Sequence, residues 1–111
     1  MITIDNLAEL GANVEEGVAR CMGKEDFYLK LVNMVVADDG YERLKAAIEA
    51  HDLDEGFERA HALKGAVSNV SLTPLLEPIS EMTELLRDRS DVDYSGLVDK
   101  MFEELNKLRA L

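Results

Sequence analysis

Apolar residues recur at every third or fourth position along nearly the whole chain, and no stretch alternates apolar and polar residues for more than a few positions. This spacing is typical of amphipathic helices, whereas half-buried strands would alternate. We therefore predict an all-α fold: an antiparallel up-and-down four-helix bundle with one or two additional short helices, mainly at the N-terminus. Six helical segments are predicted, at about 6–22 with a break near Gly11, 24–38, 41–50, 53–70, 74–86 and 94–109.

Individual residues predict the ends and the buried faces of some segments. Asp52 is the predicted N-cap of the fourth segment, with Glu55 at its third helical position, as in a capping box. Thr73 is predicted to cap the fifth segment, with Pro74 at the first helical position. Pro78 should bend that segment, because proline removes a backbone hydrogen bond. The stripe of the second segment that is expected to face the core consists of Phe27, Leu31, Met34 and Val35, widened by Tyr28 and Val32.

Size and charge narrow the class of protein. A chain of 111 residues is long enough for one hydrophobic core, so we predict a single domain over 1–111. Its 12 basic and 23 acidic residues give a net charge of −11, which argues against nucleic-acid binding and against anionic membranes. The single cysteine, Cys21, cannot form an internal disulfide, and neither a signal peptide nor a long apolar run is visible. We therefore expect a cytoplasmic monomer, with Cys21 as a small core residue.

The fourth segment carries the most informative residues of the chain. At about 100° per residue, His61, Lys64, Gly65 and Ser68 share one side of the helix, here called the His61 face. The apolar residues of the segment lie about 130° away and are expected to face the core. A glycine inside a helix costs about 1 kcal/mol relative to alanine, and packing within the chain is a poor reason for one on an outward face. The pattern therefore indicates a docking surface around a reactive imidazole; the predicted core stripe consists of Phe57, Ala60, Leu63, Val67 and Val70.

Each of these residues also has a plainer interpretation. A histidine on a helix is often merely exposed, Lys64 can be an ordinary solvated lysine, and Gly65 can be a packing notch. His51 is interpreted as a terminal-turn residue near a helix C-terminus. A metal site that combines His51 with the following carboxylates is disfavoured, because those carboxylates occupy cap and first-turn positions.

The run Ala60-His61-Ala62-Leu63-Lys64-Gly65-Ala66 resembles the signature of histidine-containing phosphotransfer (HPt) domains. The resemblance continues downstream through 68–72 and upstream through 17–20 and 23–28. It covers roughly residues 15 to 110, which is nearly the whole chain. H-x-L-K-G on an outward helix face of an all-helical chain of this size is a specific signal.

The resemblance implies a role in multistep two-component phosphorelays. His61 would accept a phosphoryl group from a receiver-domain aspartyl phosphate and pass it to an aspartate of another receiver. Lys64 would offset the charge of the phosphoryl group, and Gly65 would leave room for the receiver. Ser68 and Leu72 are the candidate partner contacts. The implied partners are response-regulator receiver domains and a hybrid sensor histidine kinase.

The residue that orients the imidazole is the least certain part of this implied site. In HPt domains a polar side chain of the next helix often holds the second ring nitrogen. The family spacing reaches Thr83, at a position where glutamine is common. Because threonine is shorter, Glu81 and Glu84 are alternative candidates, as are a water molecule or no partner at all.

Motifs for conventional catalysis are absent from the sequence. It contains neither GxxxxGK[ST] nor GxGxxG, so we expect no ATP site, and it contains neither CxxC nor HExxH. The interpretation is a phosphocarrier rather than an autokinase, with no cofactor of its own and with magnesium bound only by the partner receiver. The alternative function is a non-phosphorylated helical adaptor that binds a receiver or another signalling partner.

Overall fold

A computed structural model describes all 111 residues of the protein and contains seven α-helices and no β-strand. The predicted all-α class is therefore confirmed. None of the helices combines the length and the hydrophobicity that a bilayer-spanning helix needs. The helices are α1 (Ile4–Glu9), α2 (Val14–Arg20), α3 (Glu25–Ala37), α4 (Gly40–Glu49), α5 (Leu53–Asn69), α6 (Thr73–Arg87) and α7 (Ser95–Arg109).

The first predicted segment is divided into α1 and α2, as expected from Gly11. Gly11 has a φ of 93°, a left-handed conformation that favours glycine and interrupts a right-handed helix. The side chain of Asn13 then begins α2 by accepting a hydrogen bond from the Glu16 amide at 3.2 Å. The other five predicted segments agree with α3 to α7 within one or two residues at most ends.

The last four helices form the antiparallel up-and-down bundle. Helix α5 packs against both α4 and α6, and α6 packs against α7. The short connections at 50–52 and 70–72 reverse the chain between these neighbours. Helix α3 packs on α7 and α2, and α2 also contacts α1. Three helices therefore precede the bundle, rather than one or two, because the first segment is divided and α3 ends before α4 begins.

Four helices end at a residue with a positive φ that is not glycine. Met22, His51, Ser71 and Arg89 have φ values between 53° and 58° and follow α2, α4, α5 and α6. A left-handed residue just after the C-cap closes the last turn of a helix, and glycine is the usual choice there. The interpretation of His51 as a terminal residue of a helix is confirmed.

One cluster of 21 buried apolar side chains runs from Leu7 in α1 to Leu108 in α7. Cys21 is buried in this cluster, as predicted. Glu104 is the one buried carboxylate, and Lys100 and Lys107 pair with it at 3.1 and 3.2 Å.

The predicted buried stripe of α3 is wrong. Phe27 and Met34 are exposed, at 48% and 61% of their surface, whereas the fully or nearly fully buried residues are Tyr28, Val32 and Val36. The rotation of the helix is set by Tyr28, whose hydroxyl reaches inward and donates a hydrogen bond to the Val70 carbonyl at 2.9 Å. Residues four and eight positions further along therefore face the core with it.

The predicted start of α6 is also wrong by one residue. Leu72, not Thr73, is the N-cap, no side chain caps this end, and Thr73 and Pro74 occupy the first two helical positions. Leu72 is buried in the core, so hydrophobic burial rather than a capping hydroxyl fixes this end of the helix. Pro78 lies inside α6, as expected, and is buried.

Gly17 in α2 is the glycine whose replacement should most disturb the fold. A Cβ at Gly17 would overlap the ring of Tyr28, which is fully buried and is held by its hydrogen bond to Val70. We expect Gly17→Ala to lower the free energy of unfolding by about 1–3 kcal/mol, the usual cost of overpacking. Urea unfolding measures this change, with Gly96→Ala as control because a Cβ at Gly96 meets nothing within 4 Å. Equal stability of Gly17→Ala and wild type would contradict the prediction.

Candidate functional site

The His61 face lies on the outward side of α5. His61 and Gly65 are exposed, and Lys64 and Ser68 are partly exposed. Leu63, Val67 and the other members of the predicted core stripe are buried, with the exception of Phe57. The helix therefore presents one face to the core and the His61 face to solvent, as the sequence predicted.

The surroundings of Gly65 exclude a packing role within the chain. A Cβ at this position would meet no atom within 4 Å, whereas a Cβ at Gly56 in the same helix would lie 3.2 Å from the Leu86 side chain. Gly65 is also exposed, so it forms no notch for a neighbouring helix. The intramolecular explanation that the sequence left open is thus removed, and any need for a glycine here lies outside this chain.

Lys64 forms a loose ion pair with α6. Its Nζ donates a hydrogen bond to Glu84 Oε1 at 3.4 Å, and the Arg87 Nε lies 3.4 Å from the other oxygen of the same carboxylate. The hydrogen bond and charge of Arg87, followed by those of Lys64, lower the pKa of the Glu84 carboxyl below its usual range. These side chains are exposed to solvent, and such surface pairs contribute little to stability. Lys64 is therefore free to turn towards an anion bound at His61.

No hydrogen bond links the His61 imidazole with any of the three candidate orienting residues. Thr83 is fully buried, and its hydroxyl donates to the Ile79 carbonyl at 2.7 Å. Glu84 is paired with Lys64 and Arg87, and Glu81 is exposed without an ion pair. The orienting role of these residues stays a prediction.

An aromatic contact that the sequence analysis missed lies beside His61. The Phe57 ring stacks on the imidazole, with 5.5 Å between ring centroids and 20° between ring planes. Phe57 is only partly buried, so its assignment to the core stripe was wrong. The spacing of four residues along one helix, which brings side chains together, is the signal that could have identified the pair. The guanidinium groups of Arg87 and Arg89 lie over the same Phe57 ring.

The far end of the His61 face is fastened to α2. The Arg20 guanidinium donates a hydrogen bond to the Ser68 carbonyl at 3.0 Å and pairs with Glu16 at 2.7 Å. Glu16 in turn accepts a hydrogen bond from the Ser71 hydroxyl at 3.3 Å. Helix α2 therefore borders the candidate docking surface next to Ser68, which sequence reasoning did not foresee because no local pattern shows which helices pack together.

Leu72 does not belong to a partner-binding surface. Only 1% of its surface is exposed, and its side chain is part of the core cluster. A leucine at the junction of two helices contributes most by filling the core beneath it, and here that role excludes contact with a partner. The prediction of Leu72 as a partner contact was wrong.

The most enclosed concave feature of the surface lies elsewhere. A cleft of about 290 Å³ lies between Ile48, Leu53 and Val98, with carboxylates such as Asp91 and Asp99 at its edge. No residue of the His61 face lines this cleft. No group of three or more His, Cys, Asp or Glu side chains could hold a metal ion, including those around His51. The His61 face is thus a convex surface, suited to docking of a protein rather than to enclosing a small substrate.

Comparison with known proteins identifies the family. The Hpt domain family model matches residues 36–111, which include the end of α3, the whole bundle and the His61 face. The upstream resemblance at 17–28 lies outside this range. No curated protein and no solved structure matched the chain. Because the match covers more than half of the chain, the protein belongs to the Hpt domain family, whose members are phosphocarriers without an ATP site and act in phosphorelays with receiver domains and kinases.

Proposed function

We propose that His61 accepts a phosphoryl group from the aspartyl phosphate of one receiver domain and passes it to the aspartate of another. The observation that carries the proposal is the position of His61: it is exposed, within the matched family region, on a convex face whose glycine has no intramolecular role. His51, by contrast, follows α4 as a left-handed terminal residue. The chain's second histidine therefore lacks this setting.

The chemistry of the proposed transfer balances without a cofactor on this chain. The lone pair of a neutral imidazole nitrogen attacks phosphorus, and the bond from phosphorus to the aspartate oxygen breaks, leaving its electron pair on the carboxylate. The other ring nitrogen keeps its proton, so the phosphorylated ring is first an imidazolium and then releases a proton to solvent. Transfer to a second aspartate is the reverse sequence. Magnesium, where the reaction needs it, is held by the acidic site of the receiver.

The remaining residues of the His61 face have supporting roles in this proposal. Lys64, one turn from His61, leaves Glu84 and approaches the phosphoryl oxygens, where it offsets their charge. Gly65 allows the receiver backbone to approach α5 closely, since no side chain intervenes. Ser68 extends the contact by a further turn and offers a hydroxyl.

We extend the proposal to the whole chain and its setting. The hydrophobic cluster that includes both α1 and α7 supports one domain over 1–111. The buried, unpaired Cys21 fits a reducing compartment and therefore a cytoplasmic site of action. A monomer suffices for the reaction, because every residue with a proposed role belongs to one chain.

The experiment that tests the proposal locates the phosphate. Receiver domains charged with acetyl phosphate are mixed with the protein, and uptake is followed as a label that is lost in acid and kept in base. Mass spectrometry of peptides kept at alkaline pH should then find the phosphate on His61 and not on His51. Binding of receivers without any uptake would instead support the adaptor function, and phosphate on His51 would refute the assignment of the site.

A further inference from the structure

The His61 ring is held by a neighbouring aromatic ring rather than by a hydrogen bond. It is exposed and forms no hydrogen bond within the chain, yet it stacks on Phe57 one turn earlier in α5. The separation of 5.5 Å and the angle of 20° lie in the range of favourable offset stacking. The stacked imidazole therefore has fewer accessible rotamers than a free surface histidine.

Phe57 is itself restrained from two directions. Its inner side packs against the core cluster. The guanidinium carbons of Arg87 and Arg89 lie 5.2 and 4.9 Å from its ring centroid, within the range of cation–π attraction. Both arginines come from the C-terminal end of α6, so the ring is held between its own helix and the next.

Arg89 is anchored firmly enough to hold the ring. Its left-handed backbone turns the chain at the end of α6, and its guanidinium donates to the Leu86 carbonyl at 2.7 Å. The same guanidinium donates to Asp54 Oδ1 at 2.7 Å, which ties it to the first turn of α5. The restraint on Phe57 therefore depends on tertiary structure, not only on the spacing within α5.

Orientation of the imidazole matters for a transfer in which a ring nitrogen attacks phosphorus in line. Reaction rates fall when the attacking atom samples orientations other than the productive one. Fixing a ring by stacking is expected to be worth about three- to ten-fold in rate.

We propose that Phe57 is the positioning residue of His61, and that Arg87 and Arg89 hold Phe57 in place. This inference rests on the proposed function of His61 as phosphoacceptor. It assigns to an aromatic side chain of the same helix the orienting role that the sequence had sought among Thr83, Glu81 and Glu84.

The test compares Phe57→Leu and Phe57→Tyr with wild type, and uses Phe102→Leu as matched control. Phe102 is also a partly buried phenylalanine under a cation, Lys45 at 5.8 Å from its ring centroid, but it lies in α7. Transfer from receivers charged with acetyl phosphate is measured as a function of receiver concentration. We expect Phe57→Leu to lower the maximal transfer rate about three- to ten-fold with little change in KM, and Phe57→Tyr and Phe102→Leu to transfer as wild type does.

Proton NMR supplies a readout that a loss of stability would not move. Stacking shifts the ring-proton signals of His61, and Phe57→Leu should return them towards those of His51, the internal reference in the same sample. Phe57→Tyr should keep the shift. Should Phe57→Leu fail to fold, Arg89→Gln takes its place, because it removes the restraint and leaves the ring; a lowered rate then supports the proposal and an unchanged rate overturns it.

The outcomes separate this inference from the proposed function. A wild-type transfer rate in folded Phe57→Leu, or an equal loss in Phe102→Leu, overturns the positioning role while transfer itself stands. If wild type takes no phosphate from any receiver, the proposed function fails and the positioning role fails with it. In that case the ring-proton shifts still report whether the two rings stack.

Discussion

Replacing His61 by glutamine should abolish phosphoryl uptake and leave the fold unchanged. Glutamine has nearly the length of histidine and a better helix propensity, but its amide nitrogen is not a nucleophile. His61 is exposed and forms no hydrogen bond, so no buried contact is lost with its ring. We therefore expect uptake from charged receivers to fall to background, with an unfolding free energy within about 0.5 kcal/mol of wild type, as for other surface substitutions.

His51→Gln is the matched control for this loss, because it removes the chain's other histidine by the same change. His51 is exposed and follows α4, away from the His61 face. We expect this variant to be labelled at the wild-type rate. A His61→Gln chain that still takes up acid-labile phosphate, or that still signals in cells, would remove the phosphorelay function and favour the adaptor.

The bundle and the His61 face could be predicted because both depend on spacing along single helices. The interval of three and four residues that separates Leu63 and Val67 from His61 and Gly65 fixes which side of α5 is wet, whatever the neighbouring helices do. The Asp52 cap is equally local, and its side chain accepts the Glu55 amide as predicted. Local rules of this kind suffice for an element's type and face.

The rotation of α3 could not be predicted in the same way. Both sides of this helix are apolar, so its sequence permits Phe27 and Met34 to face inward as readily as Tyr28 and Val32. The choice depends on Val70, which is distant in sequence and supplies the acceptor for the Tyr28 hydroxyl. A tertiary contact, not a periodicity, decides the outcome.

The cluster around Phe57 was missed for a related reason. Arg87 and Arg89 belong to a stretch that the sequence indicates only as a polar connection. Their position over the Phe57 ring depends on the left-handed backbone of Arg89, and arginine is an unusual residue at a position that favours glycine. Without the turn geometry, the sequence offers no reason to place either guanidinium beside α5.

Gly65→Arg should block transfer without damaging the protein. An added side chain at this position enters open solvent, since even a Cβ meets no atom within 4 Å. Arginine is also a better helix former than glycine, so stability should be unchanged or higher by up to about 1 kcal/mol. The same side chain would stand between α5 and a receiver docked on the His61 face. Because displacing reacting atoms by about 1 Å already costs about 100-fold in rate, we expect transfer to fall about 100-fold or more.

The control for Gly65→Arg is Gly96→Arg, which places the same side chain at another exposed helical glycine with open space around it. Gly96 lies in the first turn of α7, in the part of the bundle that meets the cleft beside Leu53 rather than the His61 face. We expect Gly96→Arg to transfer as wild type does, which separates obstruction of the docking surface from a general effect of added charge. Receiver binding measured by calorimetry should weaken for Gly65→Arg alone. Unchanged transfer and binding in Gly65→Arg would show that receivers dock on a different surface, because an arginine one turn from the phosphorylated ring leaves no room for close approach.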